Sequence, residues 1–413
     1  MYSGAWEPVR QIIPRIILAD YQCKTALSIV HESKHIILFE TGLGKTLTTI
    51  AGIFMRKNAN TSKRILWLSP LDILDQTREA FSRHTVFKSR TITGTSRNVQ
   101  KRDYSSLDIM FVNFEAFDER SILEWMLSEY DSFDTVVVDE AHLIANPFSS
   151  NRNGFLWWLV SKIPNRYLLT ATPVISRIDQ FASLLCLLEG TLKDFISFRT
   201  LIHQKKYLPE YHPTKLSYRK RDIVIPMELI DFEEEVNRSR LHGTALFKDT
   251  RSTKTTEPYK ILAHLIEENG LKHFLVYSNI TEHHKQLKEF LEDATALRVE
   301  ILSGSTKDKS AVQKAFNNGD IDILIYSVIA GRDLPAESVI FFEWDVYAAQ
   351  SLGRAIRSEE VRKDFKVWFL VNTLYETEMF KNTVVKTGLL TEKALGKNIF
   401  NNLILGGSYE TFY

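Results

Sequence analysis

Cysteine is almost missing from this sequence: among 413 residues there are two, Cys23 and Cys186. Disulfide-stapled secreted folds need more, so a reducing, cytoplasmic setting is expected. Long apolar runs are missing as well. The main candidates, around residues 155–160 and 339–344, fall far short of the ~20 residues of a membrane helix, so no membrane association is expected. Residues 1–10 carry no apolar signal core, and no low-complexity tract or short-period repeat interrupts the chain. Charge of one sign is not in excess, with 52 basic against 51 acidic side chains and a net charge of +1. That excludes a broadly basic surface but leaves room for a narrow positive groove on a neutral protein.

What is present is ordinary for a soluble globular chain: 44% hydrophobic and 25% charged residues. The length exceeds one ordinary core and fits two domains of roughly 200 residues each. Short β-branched or apolar runs at 35–39, 64–68, 108–112, 135–138 and 166–169 alternate with loops and amphipathic helical stretches. Apolar runs without polar alternation suit parallel strands covered on both faces. The rhythm breaks over 195–257, a polar stretch with few strand signals that predicts a linker or lobe-closing segment. It resumes at 273–277, 299–302, 321–325, 338–342 and 366–370, giving two α/β lobes.

Between the first strand and its helix stands Glu40-Thr41-Gly42-Leu43-Gly44-Lys45-Thr46, the context a phosphate-binding loop requires. Gly42 and Gly44 let backbone N–H groups turn onto phosphate oxygens, and the helix offers its positive N-terminal end. Lys45 adds a point charge at the β/γ-phosphates, and the Thr46 hydroxyl suits a magnesium ligand. The strict motif has a further glycine where this chain has Phe39. Downstream, the β-branched strand ending in Asp139-Glu140-Ala141-His142 sets two carboxylates at the C-terminal end of a parallel strand, where α/β sheets bind ligands. Asp139 is expected to hold magnesium and Glu140 to polarise the attacking water.

With these two elements the sequence resembles the superfamily 2 helicases and translocases of the DEAH-lettered type, a family that tolerates a non-glycine residue where Phe39 stands. The resemblance runs along nearly the whole chain. It implies an α/β fold of two tandem RecA-like lobes with parallel sheets, an ATP site in the cleft between lobes, and ATP with Mg²⁺ as cofactors. The first lobe would span 1–222 and the second 223–413 with a C-terminal tail. Gln22, within Asp20-Tyr21-Gln22, resembles the family's adenine-reading glutamine. Thr41, Gly42, Leu43, Gly44, Lys45 and Thr46 would bind nucleotide. Ser69-Pro70, Thr93-Gly94 and Asn113-Phe114 fall where the first lobe of such enzymes touches the nucleic-acid backbone. Thr170-Ala171-Thr172-Pro173 matches the element that, with His142, couples hydrolysis to lobe movement. In the second lobe, Ser278-Asn279 resembles a further backbone contact and Gly331-Arg332-Asp333 a nucleotide-side motif. Gln350-Ser-Leu-Gly353-Arg354-Ala-Ile-Arg357 matches the arginine-finger motif. Arg354 and Arg357 share one helical face, and such fingers contribute on the order of 10³–10⁵ in rate.

The stretch after Thr172-Pro173 and the residues 336–344 are also similar to switch/sucrose-nonfermenting-type ATPases. Two features depart from them: the long insertions between motifs are absent, and Arg357 is followed by Ser-Glu-Glu. The compact size resembles phage-encoded helicases that remodel forks and migrate DNA branches. The expectation is therefore a monomeric, DNA-stimulated ATPase of bacterial or phage-infected cytoplasm, acting on branched or duplex DNA with little sequence specificity. A double-strand DNA translocase that displaces proteins, an RNA helicase and a non-hydrolysing nucleotide switch are the alternatives. Weaker signals are Trp157-Trp158, expected in a helix core, and Trp344, balanced between packing and DNA contact. The basic Arg219-Lys220-Arg221 reads equally as linker or phosphate contact. His283 and His284 are expected to be helical, exposed and not zinc ligands. The amphipathic tail from Gly388 is expected to pack on the second lobe.

Overall fold

The β-branched and aromatic runs form strands in the computed structural model. It describes residues 17–39, 42–59, 61–96, 99, 103–173, 179–203, 216–219, 225–231, 257–327, 334–343, 355, 365–371 and 403–405. Glu40, Thr41, Lys220, Arg221, Gly331, Arg332, Asp333, Trp344, Gln350, Arg354 and Arg357 lie outside the described residues.

Seven strands build the first sheet: β1 (Lys34–Phe39), β2 (Ile65–Ser69), β3 (Ser89–Ile92), β4 (Ile109–Asn113), β5 (Thr135–Asp139), β6 (Asn165–Leu169) and β7 (Leu216–Arg219). Their order is β3-β4-β2-β5-β6-β1-β7, and every pairing is parallel. The side-chain period of two divides the runs between two faces. Ile36, Leu38, Leu66, Leu68, Val136 and Val138 enter one apolar cluster, and Ile37, Phe39, Ile65, Trp67, Phe111 and Val137 enter the other. Because both faces are buried, the strand text has no polar alternation.

The second sheet repeats the plan with β8 (Ile225–Asp231), β9 (Phe274–Ser278), β10 (Val299–Leu302), β11 (Ile323–Tyr326), β12 (Ser338–Glu343), β13 (Lys366–Val371) and β14 (Leu403–Leu405). The order is β10-β11-β9-β12-β13-β8-β14, again parallel throughout. Tyr277, Tyr326, Phe341 and Phe369 fill one face, where the Phe341 and Phe369 rings stack at 4.4 Å. Phe274, Val276, Ile340 and Trp368 fill the other. The chain divides into two units, Met1–Lys220 with Leu389–Ile399 and Arg221–Gly388 with Phe400–Tyr413. Both are α/β with parallel sheets.

The polar stretch 195–257 is not simply a linker. It holds a helix, Phe195–His203, pinned by Arg199 to Asp179 at 2.7 Å, and it supplies β7 to the first sheet and β8 to the second. Pro226, Glu228 and Asp231 dilute the apolar text of β8, and β3 escapes notice because Ser89 and Arg90 are exposed at a sheet edge. The tail contributes β14 beside β8. Among the described residues no helix is long and apolar enough to cross a membrane.

Candidate active site

In an all-parallel sheet the loops after the strands gather at one edge. At that edge of the first sheet, β1 ends at Phe39 and the loop enters the helix Lys45–Asn58 through Gly44. Gly42 and Gly44 have φ of 83° and 76°, the left-handed region that favours glycine. Gly44 is constrained twice, since a Cβ there would lie 2.3 Å from the Gln22 Nε2. The helix start has no side-chain cap, which suits an anion at its N-terminus.

Phe39 is accommodated without difficulty. It sits in extended strand, its ring is buried in the apolar cluster and meets the Tyr21 ring edge-on at 5.2 Å. Its carbonyl accepts a 3.0 Å hydrogen bond from the Lys45 ammonium. Lys45 is thus held inside the loop, and Thr46 follows it as the second helical residue, half-buried. Leu43 is buried, and its carbonyl accepts from Tyr21 Oη and Gln22 Nε2, each at 3.1 Å. Gln22 is therefore placed against the loop.

Asp139 ends β5 and is 4% exposed; its Oδ1 accepts from the Glu140 N–H at 3.0 Å. Glu140 is the non-glycine residue with positive φ among the described residues, at φ 50° and ψ 47°. A left-handed non-glycine residue costs about 1–3 kcal/mol and persists where surrounding contacts hold it. Here the held element is the turn Ala141–Leu143. His142 Nδ1 lies 2.8 Å from Thr170 Oγ1 and 3.5 Å from Glu140 Oε2. A proton on Nδ1 is donated to the threonine oxygen, and the Glu140 carboxylate stands beside the same ring. Thr170 Oγ1 also accepts from the Thr172 N–H at 3.1 Å. Since β6 lies between β5 and β1, Thr170 stands at the strand end between the Asp139 turn and the glycine loop.

Magnesium favours few protein oxygens completed by phosphates and water. Thr46 hydroxyl and Asp139 carboxylate supply such a hard donor set, and the described residues contain no group of three or more His, Cys, Asp or Glu side chains that would cage a different metal.

The residues expected at nucleic acid divide into two groups. Ser69 and Asn113 pair across β2 and β4 but are 0% and 1% exposed, and Ser278 is 0% exposed. The Phe114 ring is core, 3% exposed, which corrects any side-chain contact there. These side chains terminate strands buried on both faces and shape the loops: Asn113 Nδ2 donates to Glu115 at 2.8 Å. Pro70, Thr93, Gly94 and Asn279 reach the surface. Trp157 and Trp158 pack against the core as expected, Trp158 at 5.1 Å from Tyr130.

The histidines are helical as expected, but their exposure is a correction. His284 is 2% exposed and hydrogen-bonded to the Ser278 carbonyl at 3.0 Å. His283 ends the short 3-10 helix Thr281–His283 with Nδ1 2.6 Å from Glu343 Oε1, while Glu343 Oε2 accepts from Ser278 Oγ at 2.6 Å. Sequence reading passed over Glu343, because its partners come from a different strand and turn. It also passed over the Tyr21 hydroxyl, although Tyr21 adjoins Gln22.

The SNF2-related domain model matches residues 26–221. Residues 26–221 are thus similar to SNF2-related domains. The resemblance to superfamily 2 ATPases accordingly holds on its switch/sucrose-nonfermenting side. The chain is similar to the Mus musculus Chromodomain-helicase-DNA-binding protein 1-like, 23% identical over 450 residues, 90% of this chain and 48% of that protein. It is also similar to the Uncharacterized ATP-dependent helicase YqhH of Bacillus subtilis, 27% identical over 252 residues, 59% of this chain and 40% of the relative. The chain thus spans half or less of the length of these relatives. In fold it matches S. cerevisiae Dbp5 bound to RNA and ADP BeF3, with a TM-score of 0.62, 12% identity, and coverage of 98% and 93% of the two chains. The two units are RecA-like.

Proposed function

We propose that the chain is an ATP-driven DNA translocase of SNF2 type. The observation that carries this reading is the convergence, at one sheet edge of an SNF2-related domain, of the glycine loop, the Asp139-Glu140 turn and the His142–Thr170 hydrogen bond. The names of the relatives, a DNA-binding chromodomain helicase and an ATP-dependent helicase, support it.

In this mechanism the Gly42–Thr46 backbone cradles the phosphates, and Lys45 leaves the Phe39 carbonyl for the γ-phosphate side. Thr46 and Asp139 would hold Mg²⁺, which supplies charge neutralisation of the phosphates when bound. Glu140 polarises the attacking water. His142 carries the state of Glu140 to Thr170 and so to the Thr172 backbone, the coupling role proposed for these three residues. Arg354 and Arg357 are proposed as the fingers, on the strength of their motif. Pro70, Thr93, Gly94 and Asn279 are proposed to touch DNA backbone directly, while Ser69, Asn113 and Ser278 shape their loops. Backbone contacts imply low sequence specificity and a steep loss of affinity with salt.

The test compares ATPase stimulation by single strands, blunt duplex, forks, Holliday junctions and RNA. Stimulation by plain duplex is expected. Stimulation confined to forks or junctions favours the finer branch-migration reading, which rests so far on compact size. Preference for RNA overturns the DNA assignment, and absence of turnover with every nucleic acid overturns the motor.

A further inference from the structure

A single carbonyl in the glycine loop is held from behind by two side chains of one helix. Leu43 O accepts from Tyr21 Oη and from Gln22 Nε2, both at 3.1 Å. The other end of the Gln22 amide is engaged as well, its Oε1 accepting the Ala19 N–H at 2.9 Å. Gln22 is 8% exposed, and its Nε2 occupies the space a Cβ on Gly44 would need. Tyr21 is fixed in turn by the edge-on Phe39 ring, on the residue whose carbonyl holds Lys45.

A glutamine that reads adenine must offer its carbonyl and its amide together to the base edge. Here the carbonyl caps the start of its own helix and the amide faces the loop. A carbonyl turned toward an anion repels it, whereas N–H groups attract it, so the direction of the Leu43 carbonyl decides which side of the loop meets phosphate. We propose that Tyr21 and Gln22 are positioning residues for the polyphosphate, acting through the Leu43 carbonyl, and that Gln22 is not a reader of the base. The group sensed is then the triphosphate common to every nucleoside triphosphate. This inference rests on the nucleotide-site reading above.

The test measures binding of ATP and of inorganic tripolyphosphate, which has no base, to the full chain by titration calorimetry. Steady-state kcat and KM for ATP are measured alongside. Tyr21→Phe keeps the ring against Phe39 and removes only the hydroxyl, and an unchanged thermal melt verifies its fold. It is expected to weaken both ligands by roughly three- to tenfold, the effect of one lost hydrogen bond. KM should rise in proportion while kcat stays within about twofold. Gln22→Ala is expected to weaken both ligands alike, by roughly tenfold. A loss confined to ATP, with tripolyphosphate binding unchanged, overturns the proposal in favour of base reading. Wild-type binding of both ligands by Tyr21→Phe overturns the clamp alone. A wild-type protein that binds neither ligand overturns the nucleotide site itself, and the clamp with it.

Discussion

The two units share a scaffold and differ at the rim. Each is a seven-stranded parallel sheet with apolar side chains on both faces. At the ends of β1 and β5 the first unit carries two left-handed glycines, a strained glutamate and a lysine aimed at a backbone carbonyl. At the ends of β9 and β12 the second unit carries Ser278, His283 and Glu343, hydrogen-bonded to one another. No backbone strain marks that cluster. Burial pushes the nearby Tyr259 hydroxyl up, with the Glu343 charge adding to it. The same kind of sheet supports either rim because the core is satisfied below it, leaving the loops to carry the chemistry.

If hydrolysis belongs to the first rim, Lys45→Ala should break it completely, reducing ATP turnover by roughly 10³-fold or more. Retained turnover in a phosphate-release assay would move the chemistry elsewhere. Glu140→Gln should lower kcat by about 10²–10⁴, the span of general-base effects, while calorimetry still finds nucleotide bound. Wild-type turnover in this variant refutes its role. Thr170→Val removes the hydroxyl that joins His142 to Thr172. It should reduce nucleic-acid stimulation about tenfold, with basal turnover changed by less than about threefold, consistent with coupling energies of roughly 1–3 kcal/mol.

His283→Ala sharpens the other side of the comparison. It should weaken nucleic-acid affinity by roughly two- to fivefold through the freed Glu343 and leave nucleotide affinity unaltered, as read by fluorescence anisotropy. Equal loss of nucleotide binding would mean that the rims are not specialised. The smallest effect concerns Cys186, buried in the first unit. Burial pushes its thiol up to about 12, with the Asp194 and Glu189 charges adding to the shift. Native protein at neutral pH should resist alkylation. The thiol's contribution to stability, present below the unfolded value of about 8.5, should fade as pH rises toward 12.

Much of this was legible in the text of the chain. Ten strands announced themselves as apolar runs because a doubly covered parallel strand has no solvent face. The glycine loop was legible because φ near +80° at Gly42 and Gly44 excludes most other residues. β7 and β8 were hidden: their polar residues and a proline read as linker, since neighbouring strands supply their partners. His283 and His284 looked like an exposed helix face for the same reason, until β12 brought Glu343 to one of them and the β9 carbonyl capped the other.

The sequence alone therefore determined which residue types meet at the first rim, because Gly-x-Gly-Lys-Thr and Asp-Glu-Ala-His are local strings whose chemistry follows from their side chains. Tertiary structure decided what those side chains touch. Only the order β5-β6-β1 sets Thr170 between the two strings, and only packing of the helix Asp20–His31 brings Tyr21 and Gln22 to the Leu43 carbonyl. Hydrogen bonds of that kind join residues distant in the chain, and their direction is set by the fold that surrounds them.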